Sequence, residues 1–242
     1  LLWINSDNTI ILWDLKRHRP LGPPLKGQPK FVSRFAFSPD GHIFAWTDTD
    51  KSICLWDLKT QKPLGKPLTG HRNAITSLVF SPSGQILATP SEDKTIILWD
   101  LKTRKALGAP LTGHQGKIAM LAVSPDGHTL ASASADKTII LWDLKTRKAL
   151  GPPLTGHELG VETVAFSPDG QILASGGYGI ILWDVKTRRS LLKIPTVDDH
   201  VTWSPDGQTL ASGDSVPLKL FDVKALRLIN SSRSKSGLEA GT

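Results

Sequence analysis

The chain has almost no cysteine, the residue whose disulfides stabilise small secreted proteins, and it has no long hydrophobic runs. Its 242 residues include one cysteine, Cys54, together with one methionine and one tyrosine. A lone thiol excludes an internal disulfide framework and favours a reducing compartment. No hydrophobic run is long enough to span a bilayer, and no basic-then-apolar leader opens the chain. We therefore expect a cytoplasmic protein that has no membrane partner.

The charge of the chain leaves two interpretations open. The formal net charge is +7 and the isoelectric point is near 9.5. Such a balance permits an acidic or nucleic-acid partner. It is also typical of a well-solvated surface with spare lysines.

A tripeptide, Leu-Trp-Asp, recurs along most of the sequence. Its copies lie at residues 12–14, 55–57, 98–100, 141–143 and 182–184, with Leu-Phe-Asp at 220–222. The tryptophans stand 41 to 43 residues apart. A period of this length predicts one small structural unit repeated many times.

The best-formed unit, residues 118–154, predicts four short strands. The first three are predicted at Ile118–Val123, His128–Ser134 and Thr138–Asp143. A Ser-Pro-Asp-Gly turn separates the first two, because proline presets φ and glycine accepts a positive φ. A poorer fourth strand, Ala149–Leu154, contains Pro152 and Pro153, so we expect it at the outer edge of the sheet.

The repeated units resemble the WD40 repeat family, and in particular the tandem arrays of bacterial, especially cyanobacterial, multidomain proteins. The resemblance rests on Gly-His, Ser-Pro-Asp-Gly, Leu-Ala-Ser, Asp-Lys-Thr and Leu-Trp-Asp at fixed spacing. It implies an all-β fold, a β-propeller of four-stranded antiparallel blades. One such sheet has two apolar faces, which stacking of neighbouring sheets would bury.

About six units fill residues 1–230. Their predicted bounds are 1–25, 26–68, 69–111, 112–154, 155–193 and 194–230. The first unit is incomplete, because residues 1–5 align with a second strand and no innermost strand precedes them. The family usually closes its ring with seven blades, so closure would need that strand and a further blade. Residues 231–242 are predicted to be a polar, flexible tail.

The resemblance also implies a buried hydrogen-bonded chain of four side chains in each regular unit. These are His71, Thr89, Asp93 and Trp99 in the third unit, and His114, Ser132, Asp136 and Trp142 in the fourth. Indole N–H only donates, a hydroxyl donates and accepts, imidazole relays and carboxylate accepts. His114, Ser132 and Asp136 also form a catalytic-triad combination, but no nucleophile elbow surrounds the serine. We therefore predict no enzyme.

Other units depart from this pattern. Gln28 replaces the histidine and Trp46 replaces the hydroxyl in the second unit, and Trp3 stands at the hydroxyl position of the first. The fifth unit lacks two residues, and Gly177 or Tyr178 stands near the aspartate position. The sixth has Ser212 but no Gly-His.

In WD40 proteins, partners commonly bind at one end of the sheets, which we call the top face. There the second strand turns into the third, and the fourth returns to the next unit. The candidate binding residues are Arg72, Glu92, Gln115, Glu158, Tyr178 and Trp46. They differ between units while the framework stays constant, which favours recognition, although neutral drift explains the variation equally well. Trp46 and Trp3 could equally be core residues.

The turns between third and fourth strands are basic, and their equivalent positions predict a ring on the opposite face. Its members are Lys59, Lys102, Arg104, Lys145, Arg147, Lys186 and Arg188. Such a ring could bind a polyanion. The alternative is a solvated turn repeated by duplication. No aromatic residues interleave with the basic ones, so a stacking platform for single strands is missing.

Three further groups are candidates for chemistry. Cys54 stands in a central strand and is interpreted as a packing residue rather than a reactive thiol. Asp198-Asp199-His200 suggests a metal site, but neighbours on a strand point to opposite faces, so we predict no metal and no cofactor. An enzyme with its site in the central channel would depend on Arg34, Lys117, Glu162 and His200. These polar residues are too few to form such a site.

These patterns together predict a non-catalytic protein-interaction or sensing scaffold. Its partner would be a protein or peptide, or an effector domain of the same longer chain. The alternative function is electrostatic binding of nucleic acid or another polyanion through the basic ring.

Overall fold

The computed structural model describes residues 2–4, 10–14, 17–20, 22, 32–48, 51–196, 198–213 and 218–223. The elements in this part of the chain are β-strands, and every strand pair is antiparallel within one of six sheets. The predicted all-β fold is confirmed. Within the described ranges, no helix is long and apolar enough to cross a membrane.

The second, third and fourth sheets share one design. The second contains β4 (Val32–Phe37), β5 (Ile43–Asp48), β6 (Ser52–Asp57), β7 (Lys62–Pro63) and β8 (Leu68–Thr69). The third contains β9 (Val79–Phe80), β10 (Ile86–Pro90), β11 (Thr95–Asp100), β12 (Lys105–Ala106) and β13 (Leu111–Thr112). The fourth contains β14 (Ile118–Val123), β15 (Thr129–Ser134), β16 (Thr138–Asp143), β17 (Lys148–Ala149) and β18 (Leu154–Thr155).

The outer strand of these sheets corrects one prediction. Instead of a continuous fourth strand at Ala149–Leu154, two short strands, β17 and β18, both pair with β16. The residues between them include Gly151, Pro152 and Pro153. Because proline has no N–H to donate, the ladder is interrupted there and resumes after the prolines.

The remaining sheets are shorter in the described residues. The first has β1 (Leu2–Ile4), β2 (Ile10–Asp14) and β3 (Arg19–Pro20), in that order. The fifth has β19 (Thr163–Phe166), β20 (Ile172–Gly176), β21 (Ile180–Asp184) and β22 (Ser190–Ile194). The sixth has β23 (Val201–Trp203), β24 (Thr209–Ser212) and β25 (Lys219–Asp222).

From the second sheet to the sixth, consecutive sheets pack face to face, and each of these four interfaces holds its own apolar core. Between the third and fourth sheets, Ala88, Ile96 and Leu98 pack with Leu121 and Trp142. Alternate residues of β11, Ile97 and Trp99, instead pack with the second sheet. The third strand is therefore apolar at nearly every position because neighbours cover both of its faces.

The innermost strands adjoin in chain order, so that β4, β9, β14, β19 and β23 lie side by side. Turns between first and second strands interlock as well. A Cβ on Gly127, which has a φ of +75°, would lie 3.6 Å from Pro82 Cδ of the preceding sheet. This order is the one that radial stacking of propeller blades requires. Closure of a ring and a total of seven blades stay predictions, and residues 231–242 lie outside the described part of the chain.

Candidate functional site

The structure brings the four side chains named in the third unit into one hydrogen-bonded chain. His71 Nδ1 lies 3.0 Å from Asp93 Oδ2, and its Nε2 lies 2.9 Å from Thr89 Oγ1. Trp99 donates its indole N–H to the same hydroxyl at 2.9 Å. In a neutral imidazole, Nδ1 donates to the carboxylate and Nε2 accepts from the hydroxyl. The chain joins the top-face loop to the centre of the sheet.

The fourth unit repeats this geometry. His114 lies 2.9 Å from Asp136 Oδ2 and 2.7 Å from Ser132 Oγ, which accepts the Trp142 indole N–H at 2.9 Å. Asp136 also accepts bonds from the Gln115 amide and the Thr138 hydroxyl. Burial raises the pKa of Asp136, but the bonds from Thr138, Gln115 and His114 outweigh it and lower the pKa to about 2.

The serine, histidine and aspartate of this unit have the connectivity of a hydrolytic triad. Ser132 is, however, completely buried, and its oxygen already accepts the indole N–H of Trp142. A nucleophile must be able to approach a substrate carbonyl beside an oxyanion site. The arrangement therefore serves to satisfy buried polar groups.

The fifth unit keeps this hydrogen-bonded chain, but a backbone carbonyl takes the place of the aspartate side chain. His157 lies 2.7 Å from Ser175 Oγ, which accepts the Trp183 N–H at 2.8 Å. His157 Nδ1 bonds the Gly177 carbonyl at 3.1 Å. Burial lowers the pKa of His157, against the opposing effect of this carbonyl bond. A neutral histidine that donates to a carbonyl thus replaces the histidine–aspartate pair. The sequence alone did not predict this role, because every residue has a backbone carbonyl and residue identity does not mark its use.

The second unit fills the same place with aromatic rings. Trp46 pairs with Cys54 in the register by which Thr89 pairs with Ile97. It is 3% exposed and stacks on Phe44, with ring centroids 5.2 Å apart. The proposal of Trp46 as a surface anchor is therefore wrong, because the ring is enclosed by the sheets. Gln28 lies outside the described residues, as does the side chain of Trp3.

In the sixth unit, Lys219 and Asp198 form an ion pair whose carboxylate is buried and whose ammonium is partly exposed. Lys219 Nζ lies 2.8 Å from Asp198 Oδ2 and 2.7 Å from Thr196 Oγ1. The Lys219 ammonium, with the Thr196 hydroxyl, lowers the pKa of Asp198. Asp198-Asp199-His200 precedes β23 rather than lying on a strand, and the Asp198 carboxylate accepts a hydrogen bond from Lys219. No group of residues in the described ranges could hold a metal ion.

The other candidate binding residues are exposed on the top face. They are Arg72, Glu92, Gln115, Glu158 and Tyr178. Tyr178 is 59% exposed, and Leu159, which sequence reasoning did not select, is 50% exposed. The loops that carry them are in close contact, because a Cβ on Gly177 would lie 2.4 Å from the Gly160 carbonyl oxygen. The fifth unit therefore exposes Tyr178 and Leu159 on two adjoining loops.

The arginines of the predicted basic ring contact the preceding sheet. Arg147 donates to the Leu107 carbonyl at 2.9 Å, and Arg188 donates to that of Leu150. The Arg104 guanidinium lies beside Gly65. Each of the three has a φ between 56° and 58°. The remaining members, Lys59, Lys102, Lys145 and Lys186, are exposed.

Cys54 has the environment of a packing residue. Burial, with a smaller contribution from Asp48, raises the pKa of its thiol to about 11. Because the thiolate is the reactive form, such a thiol is inert at neutral pH.

Comparison with protein families finds a match to the repeated units. A family model described as WD40, WD domain, G-beta repeat, matches residues 21–57, 61–100, 106–143 and 150–184. These ranges cover more than half of the chain, and each ends at the aspartate of a Leu-Trp-Asp tripeptide. No curated protein matches the chain.

Proposed function

The chain belongs to the WD40 family, and from that premise we propose that it is a scaffold whose top face binds a protein or peptide at the fifth unit. Domains of this family are generally non-catalytic and usually bind proteins. One observation carries the proposal. The exposed top-face residues differ between units, while the hydrogen-bonded chain beneath the third, fourth and fifth keeps its His, Ser or Thr, and Trp.

The fifth unit is the best candidate for the contact. Tyr178 and Leu159 are its exposed apolar side chains, and aromatic residues commonly dominate binding energy. The Tyr178 amide donates to Asp199 Oδ1 at 2.6 Å, so the following unit fixes the tyrosine backbone. A partner would meet a backbone that is already ordered, which reduces the entropy cost of binding.

Selection of peptides from a displayed random library on the intact protein tests this proposal. We expect the selected peptides to bind the Tyr178→Ala and Leu159→Ala variants at least about tenfold more weakly. Leu150→Ala is the matched control, because Leu150 is 43% exposed at the outer edge of the fourth sheet. Equal affinity for all four proteins would exclude the fifth-unit face.

The second candidate is polyanion binding by the exposed lysines of the basic ring. Lys59, Lys102, Lys145 and Lys186 occupy equivalent exposed turns, which supports it. The arginines already contact neighbouring sheets, which weakens it. Titration of a labelled 20-base duplex at increasing salt distinguishes the two functions, because phosphate contacts give a steep decrease in affinity. Affinity that survives physiological salt and decreases in a Lys102→Glu, Lys145→Glu double variant would favour this alternative.

The location and context of the chain are also proposals. A cytoplasmic location is supported by the single inert thiol of Cys54. The resemblance to bacterial arrays supports a bacterial origin and an effector domain in the same longer chain. Fractionation of cells that make the protein tests the location.

A further inference from the structure

A cavity lies between the outer edges of the fourth and fifth sheets. Its volume is about 490 Å³, and small-molecule sites commonly have this size. Residues 152–155 of the fourth sheet line one side, and Trp183 with residues 187–190 of the fifth sheet line the other. We call it the edge cavity. It lies where prolines interrupt the outer strand of the fourth sheet and the next sheet begins its own outer strand, β22.

Three residues that line the edge cavity depart from the repeat. They are Pro152, Arg189 and Ser190. Ser190 pairs with Trp183 as the alanines of β12 and β17 pair with their tryptophans, which fixes the equivalent positions. The same three positions hold Lys66, Lys105 and Ala106 between the second and third sheets, and Ala109, Lys148 and Ala149 between the third and fourth. The departures come from two sheets and meet in one cavity, which sets it apart from the equivalent grooves.

The outer strand of the fifth sheet is irregular beside the edge cavity. Trp183 pairs with Ser190 and Leu182 pairs with Leu192, so Leu191 is an extra residue in the ladder. Such bulges redirect side chains and are common next to functional sites. This bulge directly follows the two departures on the fifth sheet.

The edge cavity has a positively charged wall. The Arg188 guanidinium lies against Gly151, where a Cβ would overlap it. Arg189 is exposed, and within the described residues no acidic side chain forms an ion pair with it. Asp184, the acid of this turn, accepts bonds from the Thr187 amide and hydroxyl at 2.6 and 2.7 Å. None of the described residues that line the cavity is acidic, so its charge favours an anion.

We propose that the edge cavity binds a small organic anion, whose carboxylate or phosphate contacts Arg188 and Arg189 and whose apolar part packs on Pro152 and Pro153. Arginine matches the planar geometry of both oxyanions and can donate two parallel hydrogen bonds to them. The proline rings offer apolar surface and no N–H. The site is distinct from the top face at the fifth unit and goes beyond the proposed scaffold function.

Titration of the intact, ¹⁵N-labelled chain with phenyl phosphate and with benzoate tests the proposal by NMR. We expect saturable shifts of the amide signals of residues 188–190, with a Kd on the order of 1 mM or lower for the better ligand. The tighter of the two identifies the oxyanion as phosphate or carboxylate. Inorganic phosphate and acetate, which lack the aromatic ring, should bind at least about fivefold more weakly than the ligand with the same oxyanion.

Two variants examine the charged wall and the departures from the repeat. Arg189→Gln should weaken binding by at least about fivefold, because it removes a charge-assisted hydrogen bond. Lys105→Gln is the matched control, since Lys105 occupies the same repeat position on the third sheet. A triple variant, Pro152→Ala, Arg189→Lys and Ser190→Ala, gives the edge cavity the residues of the preceding groove. It should lose the preference for the aromatic ligand, and an unchanged thermal midpoint establishes that it folds.

Three results would overturn the proposal. They are no saturable shift up to about 20 mM ligand, equal binding to Arg189→Gln, and equal affinity for the aromatic and the inorganic anion. Shifts of the same size at the turns of Lys102 and Lys145 would also contradict it, because they would show a general attraction of anions to the basic turns. Tyr178→Ala, which tests the proposed function, should leave binding of the anion unchanged.

Discussion

The fourth and second sheets fill the same position of the repeat with opposite chemistry. In the fourth, Ser132 connects His114 and Trp142 through hydrogen bonds at the centre of the sheet. In the second, Trp46 takes the serine position and stacks on Phe44. Within the described residues, the buried N–H groups of Trp46 and Trp56 have no hydrogen-bond partner. The comparison teaches that face-to-face stacking of these sheets does not require the polar chain.

The two solutions differ in what they stabilise. An unpaired buried donor costs about 1–3 kcal/mol, which the aromatic packing of the second sheet must offset. The polar chain instead fixes the direction of the top-face loop, because Asp136 also binds the Gln115 amide at 2.7 Å. We infer that units with the chain hold their loops in place, and that the second unit relies on burial.

The largest loss of stability should follow from disrupting the aromatic packing of the second sheet. Trp46→Ala should reduce the free energy of unfolding by about 3–5 kcal/mol, because it leaves a large cavity in a packed interface. Urea denaturation followed by far-UV circular dichroism measures this loss. Phe35→Ala is the matched control, since it removes a half-exposed ring from the same sheet and should cost much less. Equal losses would show that Trp46 is not a core residue.

Breaking the hydrogen-bonded chain of the fourth sheet should cost less stability. Asp136→Ala should cost about 1–3 kcal/mol, because the His114 N–H and the Gln115 amide lose their acceptor. The same denaturation experiment applies, with His128→Ala as the control, since His128 is exposed outside the chain of bonds. An unchanged urea midpoint for Asp136→Ala would contradict the role of the carboxylate.

The pH dependence should distinguish the two sheets further. Folding lowers the pKa of Asp136 to about 2, from about 3.9 in an unfolded chain. A lowered pKa contributes stability that is present above the unfolded value and is lost as the pH falls through the folded value. The advantage of wild type over Asp136→Asn should therefore shrink between about pH 4 and pH 2. Urea midpoints across this range measure it, and a constant difference between the two proteins would be evidence against the charged carboxylate.

The smallest effect concerns the contact between neighbouring sheets. Arg147→Ala should cost about 0.5–1.5 kcal/mol, because it removes the bond to the Leu107 carbonyl. Lys145→Ala, two residues away in the same turn, should change stability by less than about 0.5 kcal/mol. Thermal unfolding of the two variants measures both effects. Identical melting curves for the two variants would show that the Arg147 side chain does not stabilise the contact between neighbouring sheets.

Much of the fold was predictable because the repeat carries local signals. The Ser-Pro-Asp-Gly turns and the apolar third strands depend on nearby residues, so the strands around them could be located closely. The break between β17 and β18 was missed, since a proline pair can end a strand or interrupt it. The role of the Gly177 carbonyl could not be predicted, because backbone groups leave no trace in residue identity.

The sequence by itself determined the repeat, the antiparallel sheets and the set of residues able to form the polar chain, because these depend on spacing and side-chain chemistry. Only the tertiary structure decided which aromatic residues are enclosed. Trp46 is buried and Phe35 is exposed, although both are aromatic residues of adjacent strands. Their burial depends on the sheet that lies opposite, and residues distant in the sequence build that neighbour.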